Sequence, residues 1–417
     1  MSQLAKILIL SASHLCRNPR VVKEAVTLGA ARYDVTVMSV STQARFEQMD
    51  LALMQGLPFQ RKVIDYSAPS ARAQVASFIQ RSATWTARAL CRTLKFETAQ
   101  SLGPARALLR FARSHPADLT IVHTEIPIWI AQYLIRDGRR VAVDVEDWYS
   151  QDLLFADRRS RPLRLLREAE SFALHHAAYA SATSESMAAA LAEAYGCTRP
   201  LVLRNTFPLQ PRSRLDNPAR HEIPTFIWFS QTVGPGRGLE LFLSAWAKTR
   251  ARSEVYLLGD VRPDYRQHLL SRLPAARRTA LKFITPVPPD DLPFKLAEFD
   301  IGLALEPHWP LNRDVTITNK IFQYLNAGLA VIATDTAGQN EVMHAAPDCG
   351  LLVQAHESTR LAGQLDALLG NPERLRACQI AARTAAVTQF NWAHAAPRLL
   401  TAVDTALQSP VRTHHNF

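Results

Sequence analysis

The amino-acid sequence predicts an α/β protein built from two doubly wound, Rossmann-like domains. Short apolar segments alternate with amphipathic helical segments in both halves of the chain, and a proline-rich stretch at 205–225 separates the two series. Such alternation is typical of parallel sheets that carry helices on both faces. The 417 residues are enough for two domains with separate cores. We therefore predict domains at 1–207 and 208–388, followed by a helix and tail at 389–417.

The first half of the chain opens with the apolar segment KILIL, which predicts a buried strand, and continues with the amphipathic segment PRVVKEAVTLGA. The segment DVTVMSV has β-branched residues at alternate positions, which favours a second strand. By these criteria strands are predicted at 6–10, 34–40, 118–123, 141–145, 179–183 and 201–203. Helices are predicted at 19–30, 127–136, 163–177 and from 184 onward, with a long helical basic stretch before 118.

The stretch 205–225 has four prolines and few large apolar residues, which predicts a linker between the domains. The alternation then restarts. Strands are predicted at 226–230, 255–258, 281–284, 301–305 and 330–334. Helices are predicted between them at 239–249, 265–272, 292–297 and 319–326.

The composition excludes several classes of protein. A hydrophobic content of 47% with 20% charged residues argues against disorder. No apolar run approaches the roughly 18 residues of a membrane span, and the N-terminal run ILIL is too short for a secretory signal. The five cysteines are scattered without paired spacing, so we expect free thiols in a reducing cytoplasm.

The net charge of +11 is concentrated in the first half of the chain. Eight Arg or Lys stand between Arg72 and Arg113 against one acid, Glu97, and the aromatic residues Phe78 and Trp85 are interleaved with them. A second basic cluster, RRSRPLRLLRE, starts at residue 158. Nucleic acid, anionic lipid or an anionic substrate could use such surfaces, and a solvated basic face without a partner is the alternative. Two clusters in one half favour an anionic membrane surface.

The segment FIWFSQTVGPGRGLEL places a glycine-rich loop between a buried strand and a helix. Gly236 and Gly238 would let the backbone approach a phosphate closely, and Arg237 would supply a bidentate cation for a pyrophosphate. The spacing matches neither a Walker loop nor GxGxxG. A plain glycine-rich turn with a surface arginine is the alternative.

The segment TITNKIFQYLNAGLAVIAT leads from a polar run into an amphipathic helix and a buried strand. Lys320 stands at the predicted start of this helix, where a cation is unfavourable unless an anion is bound. It is therefore a predicted phosphate ligand, with a solvent-facing lysine as the alternative. Asn319 precedes it, and Gln323 follows on the same helix face.

Acidic residues and a histidine end two neighbouring predicted strands of the first domain. His123 ends the first of these strands, and the segment DVED, which includes Asp147, ends the second. Because ligands bind at the carboxyl ends of parallel strands, these groups could position an acceptor hydroxyl or assist its deprotonation. The alternatives for DVED are a metal-binding Asp-x-Asp, which we do not favour, and helix capping with ion pairing.

The segments quoted above, together with FITPVPPDDLPFKLAEFDIGLAL and the closing FNW, resemble the GT-B superfamily of glycosyltransferases, and most of all its family 4. The resemblance spans nearly the whole chain and is weakest between residues 42 and 117. It implies two Rossmann-like domains that face each other across a cleft, with a C-terminal helix that crosses back to the first domain. It also implies a nucleotide diphosphate-sugar donor and retention of anomeric configuration without a metal or other cofactor.

The resemblance assigns roles to several residues. Arg237 corresponds to a basic residue that holds the donor diphosphate, Lys320 would replace a second cation of the family, and His123 corresponds to a family histidine. The loop around Val287 would contact the base through its main chain. The family's two glutamates, eight positions apart, are here Val315 and Gln323.

Either Glu306 or Asp314 could replace the first of these glutamates, and the sequence leaves both open. The predicted function is sugar transfer to a glycan or lipid-linked acceptor, in the cytoplasm or at the inner face of a membrane. The sugar, the base, the acceptor and the oligomeric state are not predicted. A sugar-nucleotide epimerase and a non-catalytic protein of the same fold are the alternatives, and no nucleic-acid-binding motif is present.

Overall fold

A computed structural model of the chain describes residues 4–216, 223–354 and 357–410. The chain forms two compact units, and the second of them is Arg204–Ala395. The first unit consists of the residues up to Leu203 together with those from Ala396. Residues 217–222 of the predicted linker and 411–417 of the predicted tail lie outside the described residues.

The first unit is organised around a parallel sheet of seven strands, in the order β3-β2-β1-β4-β5-β6-β7. Strand β1 is central, and its Ile9 pairs with Val37 on one side and Ile121 on the other. The strands are β1 (Lys6–Leu10), β2 (Asp34–Ser41), β3 (Gln60–Asp65), β4 (Leu119–His123), β5 (Val141–Val145), β6 (Ala180–Ala182) and β7 (Leu201–Val202).

Helix α1 of the first unit begins at a side-chain cap. The Asn18 side chain accepts a hydrogen bond from the backbone of Val21, and Pro19 occupies the first helical position of α1. Up to residue 203 the helices are α1 (Pro19–Ala30), α2 (Ala44–Leu53), α3 (Ala71–Leu94), α4 (Ala105–Ser114), α5 (Glu125–Arg136), α6 (Phe155–Arg158), α7 (Leu163–His176) and α8 (Glu185–Tyr195).

Strand β3 was not predicted, whereas the long helical basic stretch before residue 118 is confirmed by α3 and α4. β3 forms the edge of the sheet, and its sequence QRKVID leaves most of its residues partly or fully exposed. A half-exposed edge strand carries charged residues, so the apolar pattern that identifies a buried strand is missing.

The second unit contains a parallel sheet of six strands in the order β10-β9-β8-β11-β12-β13. The order reverses between β8 and β11, and ligands of open α/β sheets bind beyond the carboxyl ends of the strands at such a point. The strands are β8 (Thr225–Val233), β9 (Glu254–Val261), β10 (Leu281–Ile284), β11 (Ile301–Ala304), β12 (Ala330–Thr334) and β13 (Gly350–Val353).

Helices cover both faces of this sheet, with Trp246 in the buried cluster on one face and Tyr324 in the cluster on the other. β8 continues to Val233 with an irregularity between Phe229 and Thr232, so it is longer than the predicted strand 226–230. The helices are α9 (Leu239–Trp246), α10 (Pro263–Ser271), α11 (Ala275–Arg278), α12 (Leu292–Leu296), α13 (Leu311–Val315), α14 (Asn319–Ala327), α15 (Ala337–Ala345), α16 (Ser358–Leu369) and α17 (Pro372–Thr388).

The last helix, α18 (Trp392–Gln408), starts in the second unit and continues into the first. The Tyr33 hydroxyl hydrogen-bonds the Asp404 carboxylate, and Arg140 donates to the Ser409 carbonyl over 2.7 Å. These contacts attach the end of the chain to the sheet of the first unit. Among the described residues, no helix combines the length and the apolar character needed to cross a membrane.

Candidate functional site

A buried carboxylate in the second unit is surrounded by three cations. Glu306 follows strand β11 and is 3% exposed. Its Oε1 accepts from Lys320 Nζ at 3.0 Å and its Oε2 from Arg313 Nη1 at 3.1 Å. Arg237 Nη1 lies 3.8 Å from Oε1. We refer to Glu306, Arg237, Arg313 and Lys320 as the cation cluster.

The cation cluster lies where the strand order of the second sheet reverses. Arg237 belongs to the loop after β8, and Glu306 belongs to the loop after β11, the neighbouring strand. Gly236 and Gly238 flank the arginine with φ values of +74° and +73°. A Cβ on Gly238 would lie 3.0 Å from the Cβ of Leu305, so this turn needs glycine for both its conformation and its close packing.

Lys320 is held at the start of α14 by three neighbours. Its ammonium contacts Glu306, lies 3.3 Å from the Thr318 hydroxyl, and stands 5.3 Å from the centre of the Trp228 ring. Only 7% of the residue is exposed, so the interpretation of Lys320 as a solvent-facing lysine is wrong. Thr334 at the end of β12 fixes Glu306, because its hydroxyl both accepts from the Glu306 N–H and donates to the Glu306 carbonyl.

The ionisation of the cation cluster follows from burial and charge. Burial alone would raise the pKa of Glu306, but Lys320, Arg313 and Arg237 outweigh it and hold that pKa below its usual value. Burial lowers the pKa of Lys320, and Arg237 and Arg313 add to this effect while Glu306 opposes it. With all groups ionised, three positive charges face one negative charge. The surplus makes this edge of the sheet suited to an anion.

The structure brings together some of the predicted donor ligands. Arg237 and Lys320 meet at Glu306, so of the two carboxylates left open by the sequence, Glu306 is the one that joins the cation cluster. Asp314 instead contacts His308 Nδ1 at 2.7 Å and accepts from the N–H of Ala337 at the start of α15.

The other predicted donor ligands surround the start of α14 or lie in a separate loop. Asn319 is the first residue of α14 and is exposed, while Gln323 lies one turn further along and is buried. Val287 follows β10 and packs, partly buried, against the buried cluster that contains Tyr324. The donor-binding roles of these three residues stay predictions.

Arg313 was missed by the sequence analysis. It lies in α13, a helix of five residues inside the segment HWPLNRDV, which reads as a loop because it is polar and contains a proline. The signal that could have found it is its basic side chain close to Glu306 and Lys320 in sequence, at the carboxyl edge of a predicted parallel sheet.

In the first unit, His123 is completely buried among acids. Its Nδ1 lies 2.8 Å from Glu146 and 3.1 Å from Asp144, and its Nε2 lies 3.2 Å from Glu24. Burial opposes the charged form, yet these carboxylates raise the pKa of His123 well above its usual value. Both ring nitrogens face these carboxylates, so the geometry does not support the expectation that His123 deprotonates an acceptor. A role in positioning the acceptor stays a prediction.

The segment DVED is engaged mainly by groups of its own unit. Asp144 forms a buried ion pair with Arg20 and accepts from the Ser181 hydroxyl at 2.5 Å. Glu146 accepts from Asn18 at 2.9 Å. Glu24, His123 and Asp144 lie close enough to share a metal ion, but the Arg20 guanidinium already lies between Glu24 and Asp144. These side chains therefore fit an internal network of charges better than a set of metal ligands.

Asp147, the remaining predicted site residue, directly follows Glu146 in the sequence. It lies in the bend after β5 and is partly exposed. It is therefore more accessible than Asp144, which is 1% exposed. Its role in acceptor binding stays a prediction.

Comparisons with known proteins agree with this architecture. Residues 223–371 match the family Glycosyl transferases group 1. The HepE protein of Anabaena, solved in complex with UDP, superposes with a TM-score of 0.68 at 16% identity over 96% of this chain and 100% of that chain. WaaG, a glycosyltransferase involved in lipopolysaccharide biosynthesis, superposes with a TM-score of 0.62 at 15% identity over 95% of this chain and 99% of that chain.

A UDP-forming trehalose-phosphate synthase from Burkholderia xenovorans gives a TM-score of 0.66 at 9% identity over 98% of this chain and 100% of that chain. A search among curated proteins finds no match. The predicted fold class of two Rossmann-like units is confirmed by the two parallel sheets and by these likenesses. Residues 223–371 therefore match Glycosyl transferases group 1, and the chain has the GT-B fold of these solved structures.

Proposed function

We propose that this protein transfers a sugar from a nucleotide diphosphate-sugar to an acceptor hydroxyl, with the diphosphate bound at the cation cluster. The observation that carries the proposal is the surplus of cations around Glu306 at the strand-order reversal of the second sheet. The match to Glycosyl transferases group 1 covers the same segment. HepE, which has the same fold, was solved in complex with UDP.

The proposed chemistry is stabilisation of the leaving diphosphate by fixed positive charge. Negative charge develops on the diphosphate as the bond to the sugar breaks. Arg237 and Arg313 present guanidinium groups that can bind phosphate oxygens in a bidentate manner, and Lys320 supplies a third charge beside them. We propose that these side chains do the work without a metal ion, and that the anomeric configuration is retained.

The proposed acceptor is a glycan or a lipid-linked molecule used in the synthesis of a cell-surface polysaccharide or glycolipid. WaaG, which has the same fold, is involved in lipopolysaccharide biosynthesis. The basic first half of the chain supports work at an anionic membrane surface, on the cytoplasmic face. Asp147 and His123 are the proposed groups that position the acceptor.

The test is a panel of UDP, GDP, ADP, CMP and their sugars, measured by thermal shift and calorimetry in EDTA. The proteins are the wild type, Arg237→Ala and Arg252→Ala, which removes an exposed arginine of the same unit as a matched control. We expect one diphosphate to stabilise the wild type and Arg252→Ala but not Arg237→Ala. Stabilisation that requires a divalent ion would refute the metal-independent part.

Absence of binding by every nucleotide would favour a non-catalytic protein of this fold. If a diphosphate binds, its sugar is then incubated with candidate acceptors, and the anomeric configuration of the product is read by nuclear magnetic resonance. Inversion would refute retention. A changed sugar-nucleotide formed without any acceptor would identify an epimerase instead.

A further inference from the structure

Helix α3 has its large apolar side chains on the outside of the molecule. Val75, Phe78 and Trp85 are 58%, 66% and 71% exposed. The side of the helix that faces the protein carries small residues instead, among them the buried Ala87 and Cys91. An amphipathic helix of a globular protein normally has the opposite arrangement, with the large apolar residues inside.

The exposed apolar surface extends beyond these three residues. Ile79, Leu94 and Phe96 are also more than half exposed. Scattered single apolar residues are normal on a protein surface, but a contiguous group of large ones marks an interaction site. We therefore interpret the exposed apolar side of α3 as a binding surface.

Positive charge lines this surface. The sequence has no acidic residue between Asp65 and Glu97. Arg81 and Arg92 are exposed, and no carboxylate of the described residues forms an ion pair with either. Phe78, Arg81, Trp85 and Arg92 follow one another at intervals of three, four and seven residues, which places them along one side of the helix.

The second basic cluster of the sequence is not equivalent to α3. Arg161 forms an ion pair with Glu125 and is largely buried, with a pKa lowered to about 10 mainly by that burial. Arg164 pairs with Glu168 on the surface of α7. Because carboxylates engage these two arginines, we base the inference on α3.

We propose that the outward side of α3 docks on an anionic phospholipid bilayer, with Phe78 and Trp85 entering the interface and Arg81 and Arg92 contacting lipid phosphates. Aromatic side chains between cations suit this boundary, where apolar rings sit beside charged headgroups. The inference gives a location to the membrane part of the proposed function. It does not depend on what binds at the cation cluster.

A second copy of the chain fits this surface less well than a bilayer. Pairing two such helices would bring the cations Arg72, Arg81, Arg92 and Lys95 of one copy against those of the other, with no acid between Asp65 and Glu97 to offset them. An anionic bilayer neutralises the same charges and covers the apolar residues at once.

The experiment measures flotation of the full chain with vesicles of phosphatidylcholine alone or mixed with phosphatidylglycerol. The double variant Phe78→Ser/Trp85→Ser removes two apolar side chains of the proposed docking surface. The double variant Arg81→Gln/Arg92→Gln removes two of its positive charges. Ile380→Ser and Arg252→Gln, at exposed positions of the second unit, are the matched controls. Thermal melts and nucleotide binding of each variant show that folding and the cation cluster are unaffected.

We expect the wild type to float with the mixed vesicles and to bind those of phosphatidylcholine far more weakly. The double arginine variant should bind about thirtyfold more weakly, which corresponds to about 1 kcal/mol per cation near an anionic surface. The double variant Phe78→Ser/Trp85→Ser should bind the mixed vesicles at least about tenfold more weakly than the wild type. Both controls should bind as the wild type does. Added salt should weaken wild-type binding without abolishing it.

A second measurement uses Trp85 itself. Because it is the most exposed of the tryptophans, its fluorescence should shift to the blue and lose acrylamide quenching on vesicle binding, and Trp85→Phe should lack this change. No flotation of the wild type, or equal binding by the double apolar variant, would overturn the proposal. So would concentration-dependent dimers that Phe78→Ser/Trp85→Ser abolishes in the absence of vesicle binding, since they would assign the surface to a second copy.

Discussion

The substitution Glu306→Gln removes the negative charge that Lys320 and Arg313 share while it keeps the size of the side chain. The cations are 3.0 Å and 3.1 Å from the carboxylate, and Arg237 is 3.8 Å away. At such separations one pair has a gross attraction of roughly 4 kcal/mol at an effective dielectric constant of about 20. Desolvation offsets most of this attraction, because Glu306 is almost completely buried.

Loss of one partner from a buried ion pair typically costs about 3–5 kcal/mol. For a unit of this size, 1 kcal/mol corresponds to about 2–4 °C in melting temperature. The second unit of Glu306→Gln should therefore melt about 6–20 °C lower than that of the wild type at neutral pH. Glu298→Gln, which breaks a more exposed pair with Lys295, is the control and should change stability by no more than about 1 kcal/mol.

The difference in melting temperature between the wild type and Glu306→Gln should become smaller as the pH falls. The pKa of Glu306 is lowered in the folded protein, so its stabilising charge is present above the unfolded pKa of about 4.3. The stabilisation is lost as the pH falls through the folded pKa. Melting curves followed by calorimetry should therefore converge for wild type and variant in acid, below about pH 4.

Diphosphate binding distinguishes two roles of Glu306: positioning of the cations, and direct contact with the donor. If Glu306 only positions the cations, Glu306→Gln leaves three of them facing the ligand and should bind the diphosphate at least as tightly as the wild type. The ligand should then raise the melting temperature of the variant by more than that of the wild type. Loss of binding equal to that of Arg237→Ala would refute the reasoning, because Glu306 would then contact the donor itself.

Three further substitutions test other parts of the structure. Asp144→Asn breaks a buried pair and should cost about 3–5 kcal/mol in denaturant unfolding, whereas Asp137→Asn, in an exposed pair, should cost no more than about 1 kcal/mol. Gly238→Ala forces a side chain into a left-handed conformation at about 1–2 kcal/mol and should weaken diphosphate binding in calorimetry, whereas Gly234→Ala, with open space around its Cβ, should do neither. His308→Gln should lower the melting temperature more at about pH 6 than at about pH 9: burial opposes charging, but two carboxylates raise the pKa of His308, so its stabilisation is lost as the pH rises through that pKa. An equal effect at both pH values would contradict the last prediction.

The fold could be predicted from the sequence where strands are buried on both sides. The segments KILIL and AVIAT are mostly apolar, and both are interior strands of parallel sheets. Strand β3 was not predicted because an edge strand is partly exposed to solvent, so its sequence QRKVID lacks the apolar pattern of a buried strand.

The candidate site could be predicted in part. Glycines beside Arg237 and a lysine at a helix start are local signals, and both residues lie in the cation cluster. Arg313 depends on how a five-residue helix folds back toward Glu306, which no short-range pattern records. His123 was correctly placed at a strand end, but its charge state depends on Glu24 from a distant helix.

The division of the chain has a consequence for how the protein is made. The second unit is an insertion in the first, since Leu203 precedes it and Ala396 follows it. Its two ends meet, because Phe207 pairs with Asn391 and the Phe207 carbonyl accepts from the N–H of Trp392 at 2.9 Å.

The second unit is therefore synthesised in full before the first unit has received the part of α18 that belongs to it. Until α18 is synthesised, the groups that Tyr33 and Arg140 bind are missing, and the surface that α18 covers stays open. Removing the part of α18 from Ala396 onward, which belongs to the first unit, should accordingly unfold or aggregate the first unit and leave the inserted one folded. The first unit can therefore complete its fold only after the second unit has been synthesised.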